Sequence, residues 1–143
     1  MHKYLTCCGL FCGACTSMLL HEKNEGDPAL KDFSCEYKEE PCPGCGSGCV
    51  PDCEFNSCCK AHGVVTCAFC PDYPCARIRN FSVDEWPHHI DVLENLSRMK
   101  EIGIEAWIEE QKKCWTCPDC GARTHWYQSK CRDCGASWEP KYV

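Results

Sequence analysis

The chain has 143 residues, 19 cysteines and a formal net charge of −6, which bounds it to one or two small domains. Leu, Ile, Val and Phe together account for only 23 residues, so the cysteines must supply cohesion that a thin apolar core cannot. The acidic balance, which metal-bound thiolates would deepen, makes nucleic acid an unfavourable partner. No apolar run approaches the roughly 20 residues that a transmembrane helix needs, so no membrane partner is expected.

Metal binding is favoured over disulfide bonding as the role of the cysteines. Their number is odd, and the Cys-x-x-Cys step recurs along the chain. The amino terminus shows no long apolar segment of the kind a signal peptide has. These features predict a cytoplasmic metal-binding protein.

The amino-terminal segment presents Cys8, Cys12 and Cys15 in a Cys-x3-Cys-x2-Cys arrangement. Radical S-adenosylmethionine enzymes bind a cluster through this pattern, but this chain is too short for the barrel they need. We therefore expect the three thiolates to join a site that a later cysteine closes. Residues 16–23 predict a short helix that ends near residues 24–26.

The central stretch, residues 42–75, has nine cysteines in 34 residues, including two Cys-x-x-Cys steps. Such a step lets two thiolates of one tight turn bind the same ion, and a second step completes a tetrahedron. The thiolates already outnumber the positions of two four-coordinate sites, so His62 is predicted to be a surface histidine. Residues 27–41 predict a loop or one short helix. The candidate ligands in the central stretch are Cys42, Cys45, Cys53, Cys58, Cys67, Cys70 and Cys75.

Helices are predicted after the central stretch. Cys75 is expected to open a short helix over residues 76–81. Apolar residues at three-residue steps then predict a longer helix that begins between Ser82 and Pro87 and ends at Gly103. A second amphipathic helix follows from Ile104 to Gln111. We expect both apolar faces to pack against the cysteine-rich domain.

The carboxy-terminal tail carries two Cys-x-x-Cys-Gly knuckles separated by ten residues. Their cysteines predict one zinc ion bound by four thiolates, in a zinc ribbon. The aromatic residues between the knuckles predict a short hairpin strand. With four well-spaced thiolates, neither Cys114 nor His125 is needed as a ligand. The predicted ligands are Cys117, Cys120, Cys131 and Cys134.

The ordered cysteine steps between residues 6 and 80 resemble a cysteine-rich bacterial and archaeal family called domain of unknown function 3795. The segments CGLFCGAC, CPGC, CEFNSC and KAHGVVTCAFCPDYPC carry this resemblance. The resemblance implies motif positions at the ten candidate cysteines from Cys8 to Cys75 and implies no activity. The cysteines outside its pattern are Cys7, Cys35, Cys49 and Cys59.

The sequence thus predicts three segments: a small metal-stabilised α+β or irregular cysteine-rich domain over residues 1–81, a two-helix segment over 82–113 and a β zinc ribbon over 114–143. The predicted cofactors are zinc in the ribbon and either zinc or an iron–sulfur cluster in residues 1–81. No Ser/His/Asp constellation, phosphate-binding glycine loop or His-rich open metal site is visible, so we assign no catalytic residue and do not expect an enzyme. The expected role is a zinc-binding structural or protein-interaction module, with an iron–sulfur electron-transfer accessory protein as the alternative.

Overall fold

A computed structural model describes residues 2–34, 40–45 and 53–142 of the chain. Within these ranges the protein is mostly helical, and short 3-10 turns precede or separate several helices. None of the helices in the described part is long and apolar enough to cross a bilayer. The α-helices are α1 (Thr16–Asn24), α2 (Glu54–Ala61), α3 (Ala76–Ser82), α4 (Val92–Ile102) and α5 (Ile104–Cys114).

The helices predicted from the sequence, α1, α3, α4 and α5, are present, whereas α2 was not predicted. The main helix α4 begins at Val92, because a separate 3-10 turn occupies Pro87–Asp91. Asp84 stabilises this turn by accepting hydrogen bonds from the Trp86 amide at 2.9 Å and from the His89 ring at 2.8 Å. Residues 27–34 contain one 3-10 turn, Pro28–Leu30, and residues 35–39 lie outside the described part.

Helices α4 and α5 pack against each other and form the centre of the core. Gly103 joins them with a φ of +91°, a conformation in which a side chain would be strained. Leu96 and Met99 of α4 and Trp107 of α5 are completely buried. The Trp107 ring meets Phe11 edge to face, with 6.0 Å between ring centroids. The two helices therefore cover the amino-terminal cysteine segment with their apolar faces, as their spacing predicts.

The amino-terminal segment approaches α4 closely at Gly9. This glycine has a φ of +92°, and a Cβ atom there would lie 2.7 Å from Cγ of Leu96. Its carbonyl accepts a hydrogen bond from the Asn95 side chain at 3.0 Å. The residues around Cys8 are thus held directly against α4.

The predicted β ribbon is not what the structure shows. Within the described tail there are two isolated antiparallel bridges, Thr116 with Arg123 and Lys130 with Ser137, and no strand. Each knuckle closes on itself, since one bridge flanks each Cys-x-x-Cys turn. The residues between the knuckles pack against the rest of the protein instead of pairing with each other. The Trp126 amide, for example, donates to the Ala14 carbonyl at 3.2 Å.

Candidate metal centres

The four tail cysteines form the larger of the two groups of potential ligands that meet within 4.8 Å among the described residues. The sulfur atoms of Cys117, Cys120, Cys131 and Cys134 all lie within 4.8 Å of one another. The Cys117 and Cys134 sulfurs are 3.6 Å apart, and those of Cys120 and Cys131 are 3.5 Å apart. A tetrahedral zinc ion with Zn–S bonds of about 2.3 Å requires sulfur–sulfur distances of about 3.8 Å. The group is therefore close to the size that one ion bound by four thiolates needs.

The two knuckles have the same backbone geometry. The amides of Cys117 and Cys131 each donate at 2.7 Å to the carbonyl five residues later, that of Ala122 and of Ala136. Glycine follows the second cysteine of each knuckle with positive φ, +77° and +79°. A left-handed residue at this point turns the chain back on itself, which places both sulfurs of the knuckle on its inner side.

Backbone amides stabilise the thiolate form of one of these cysteines. The amides of Cys120 and Asp119 lower the pKa of the Cys117 thiol to about 7, against the desolvation caused by partial burial. A metal ligand must be the thiolate, so this arrangement favours the form that binds an ion.

A second group of cysteines surrounds Cys12 near the amino terminus. The thiol of Cys12 donates a hydrogen bond to Cys45, and this bond lowers the pKa of Cys45 to about 7. Complete burial raises the pKa of Cys8 to about 12, and Cys45 and Cys53 lie close enough to add an electrostatic contribution. Cys15 lies close enough to Cys12 to act on it electrostatically. The structure thus joins Cys12 to Cys45 by a hydrogen bond and places Cys8, Cys15 and Cys53 within electrostatic range of this pair or of each other.

Gly44 allows Cys45 to reach this group. Its φ is +118°, and a Cβ atom there would lie 2.7 Å from the carbonyl oxygen of Lys3. Only a residue without a side chain fits between the two chain segments. The neighbouring Cys42, predicted as a metal ligand, is buried and disulfide-bonded, so this prediction is wrong in the structure: a sulfur in a disulfide offers no thiolate to a metal.

A third group of cysteines includes Cys7 and Cys59, which lie outside the cysteine pattern of the family. The sulfurs of Cys59 and Cys67 are 3.7 Å apart, and Cys59 also forms a hydrogen bond with Cys7. The Cys67 amide donates to the Cys7 carbonyl at 2.9 Å, which fixes the two segments together. Cys7 and Cys59 each belong to an adjacent cysteine pair, with Cys8 and Cys58. Adjacent cysteines project in different directions and can serve different sites, and this signal could have identified both residues from the sequence.

The remaining predicted ligands lie around this third group. A small cavity of about 20 Å³ has Tyr73, Ile78 and five cysteines in its wall. Among the described free thiols of the amino-terminal part, however, no three sulfurs come within 4.8 Å of one another. Cys35 and Cys49 lie outside the described residues. The cysteines that line the cavity are Cys58, Cys59, Cys67, Cys70 and Cys75.

One mixed group of ligands lies at the exposed side of this cavity. A ring nitrogen of His62, the sulfur of Cys70 and a carboxylate oxygen of Asp72 lie within 4.8 Å of one another. The Cys58 carbonyl and the Asp72 carboxylate raise the pKa of His62. Cys70 thus belongs to this mixed group as well as to the cavity wall that it shares with Cys67.

A comparison with known protein families gives a match for the first half of the chain. Residues 4–80 match the model of a family described as protein of unknown function (DUF3795). The chain belongs to this family. The match includes the second and third cysteine groups and ends before α4, α5 and the tail. No curated protein and no solved structure matches the chain.

Proposed function

We propose that this member of the DUF3795 family is a zinc-binding protein whose tail site is structural and whose role is to bind other proteins. The observation that carries the proposal is the compact group of four tail sulfurs, with distances of 3.5 and 3.6 Å across it. Four thiolates in a tetrahedral arrangement suit zinc and fill every coordination position, which is typical of structural sites.

The small apolar content of the tail supports a structural role for its metal. Its own buried cluster consists of Cys117, Ala122 and Cys131, with Ala136 and Trp138 packed against it. This cluster buries too little apolar surface to offset the entropy of ordering the two knuckles, and Trp115 and Tyr142 of the tail join the main core instead. A bound ion supplies the missing stability, as in other small metal-dependent modules.

A second function, electron transfer, is favoured by one feature of the amino-terminal part. Its described thiols form groups, but no three of them come as close as the tail sulfurs do. An iron–sulfur cluster spaces its thiolates further apart than a single zinc ion does, because the cluster lies between them. The pairs Cys59–Cys67 and Cys12–Cys45 are as close as two thiolates of one zinc ion, so only the wider spacing between these pairs and the other described thiols supports this alternative for residues 1–81.

Purification without oxygen distinguishes the two functions. We expect a colourless protein with one zinc ion in the tail and at least two further zinc ions in residues 1–81, on the order of three per chain. The measurements are the visible spectrum and the content of zinc, iron and acid-labile sulfide per chain. A brown protein with stoichiometric iron and sulfide would instead support electron transfer.

Protein partners are proposed over nucleic acid because the tail uses basic residues internally. Arg123 pairs with Glu22 and Asp27, and Arg132 donates to the Ser34 hydroxyl at 2.6 Å. The net charge of −6 adds a general repulsion of phosphate. We expect no gel shift with duplex or single-stranded nucleic acid at physiological salt. Tight binding that weakens steeply with salt would contradict this proposal.

A further inference from the structure

His62, Cys70 and Asp72 come together from three consecutive local structures. His62 directly follows α2, Cys70 follows the 3-10 turn Cys67–Phe69, and Asp72 lies in the next turn. One potential ligand atom of each residue lies within 4.8 Å of the other two. The group involves none of the tail cysteines and so is separate from the proposed structural site.

The hydrogen bonds of His62 determine which ring nitrogen faces this group. Nδ1 lies 2.8 Å from the carbonyl oxygen of Cys58, so Nδ1 carries a hydrogen and donates it. The Cys58 sulfur lies farther from Nδ1, at 3.6 Å. Nε2 lies 3.2 Å from Oδ2 of Asp72. In the neutral ring, two lone pairs would then face each other across this distance, and either a proton on Nε2 or a bound cation relieves their repulsion.

That charge is either a proton or a metal ion, and the geometry fits an ion. Zinc bonds to nitrogen and oxygen of about 2.0 to 2.2 Å place tetrahedral ligand atoms about 3.4 Å apart. A histidine that binds a metal typically donates its other N–H to a carbonyl or carboxylate, as Nδ1 of His62 does. Cys70 adds a sulfur that a simple histidine–aspartate ion pair does not need.

We propose that Nε2 of His62, the sulfur of Cys70 and the carboxylate of Asp72 bind a divalent transition-metal ion, with water in the fourth position. Nitrogen, sulfur and oxygen donors together suit zinc and cobalt(II). The His62 side chain is 33% exposed and that of Asp72 is 69% exposed, so solvent reaches the ion. Three protein ligands and an open position make this an exchangeable site, unlike the closed site of the tail.

The test uses cobalt(II) as a spectroscopic probe and the full-length protein. The protein is loaded with zinc without oxygen, passed over a weak chelating resin that removes exchangeable ions, and then titrated with cobalt(II). We expect one equivalent to bind with the visible bands of a tetrahedral site that has one sulfur ligand. Asp72→Ala and His62→Gln should each weaken this binding by about 10-fold or more, since loss of an outer-shell contact alone has an effect of that size.

Two matched variants control for non-specific effects. His21→Gln removes a half-buried histidine of α1, and Cys114→Ser removes an exposed thiol, and neither residue belongs to a ligand group of the described residues. Both should bind cobalt(II) as the wild type does. The proposal is overturned if the wild type gives no saturable spectrum, or if its titration is the same as that of Asp72→Ala.

A further variant separates this inference from the proposed function. Cys120→Ser should remove the tail zinc and leave the cobalt(II) titration at His62 unchanged. If the wild-type tail holds no zinc but cobalt(II) still binds with dependence on Asp72, the structural tail site is refuted and the exchangeable site stands. If the tail holds zinc but cobalt(II) does not bind, the exchangeable site is refuted and the structural tail site stands.

Discussion

Arg123 connects the tail to the amino-terminal part through a partly buried ion network. Its guanidinium lies 3.2 Å from Glu22 and 3.0 Å from Asp27, donates to the Gly13 carbonyl at 3.1 Å and lies over the Tyr4 ring. Burial alone would raise the pKa of Glu22, but the hydrogen bond from Tyr4 and the charge of Arg123 lower it overall. This arginine thus compensates two carboxylates that are shielded from solvent.

Replacement of Arg123 removes an ion pair from both carboxylates and leaves Glu22 with its contacts to Lys3 and Tyr4. We expect Arg123→Ala to lower the free energy of unfolding by about 3 kcal/mol, as loss of one partner of a buried pair does. The measurement is urea unfolding of the zinc-loaded protein. Arg98→Ala, which breaks surface ion pairs with Glu101 and Glu110, is the control and should have a much smaller effect. Equal losses in both variants would mean that the Arg123 network contributes no more than a surface ion pair.

The tail is held in its folded conformation by the proposed metal binding at its four cysteines more than by regular secondary structure. Two isolated bridges and the hydrogen bonds within each knuckle provide its local structure. Its contacts with the rest of the protein include the Trp126 ring, which stacks on His88 with 4.2 Å between centroids. Loss of the ion should therefore disorder the tail without unfolding the helices.

Cys120→Ser tests this dependence. We expect the variant to lose one zinc ion per chain and to become sensitive to proteolysis after Trp115, because the remaining apolar cluster is too small to hold the knuckles. Helical circular dichroism from α1 to α5 should remain. Cys114→Ser should keep both the zinc and the protection. A Cys120→Ser tail that still resists protease would show that packing alone orders it.

Across the whole molecule, side chains from all three predicted segments share one core. This core contains Leu5 from the amino terminus, Leu96 from α4 and Tyr142 from the end of the tail. The Tyr142 hydroxyl donates to Asp91 at 2.7 Å, next to the ion pair of Lys141 with Asp91. Changes in the packing of the tail should therefore alter the stability of the whole molecule.

The stability of the whole molecule should depend on pH through His88. Desolvation and the charge of His89 lower the pKa of His88 from 6.5 to about 4, although the charge of Asp84 acts in the opposite direction. Because the pKa of His88 is lower in the folded than in the unfolded state, the free energy of unfolding is highest above pH 6.5 and decreases as the pH falls towards 4. His88→Phe retains an aromatic ring against Trp126 and has no proton to gain.

We therefore expect the wild type to lose more thermal stability than His88→Phe between pH 7 and pH 5. The measurement is the melting temperature of both proteins at the two pH values. Proton competition for the metal-bound thiolates is common to both proteins and cancels in the comparison. An equal decrease in the two would rule out His88 as the source of the pH dependence.

Local sequence determined four of the five α-helices, all but α2, and the tail ligand group, because these depend on spacing over a few residues. The apolar periodicity predicted α4 and α5, and the two knuckles placed four sulfurs within reach of one ion. The adjacent residues 7 and 8, by contrast, belong to different cysteine groups because distant segments pack on either side of them. The approach of Gly44 to Lys3 and the turn that brings Asp72 to His62 also depend on contacts that no spacing encodes. The sequence by itself therefore determined that the protein carries ligands for metal and which four of them meet in the tail. Only the tertiary structure decided which cysteines meet in the amino-terminal part, since those meetings depend on packing between segments far apart in the chain.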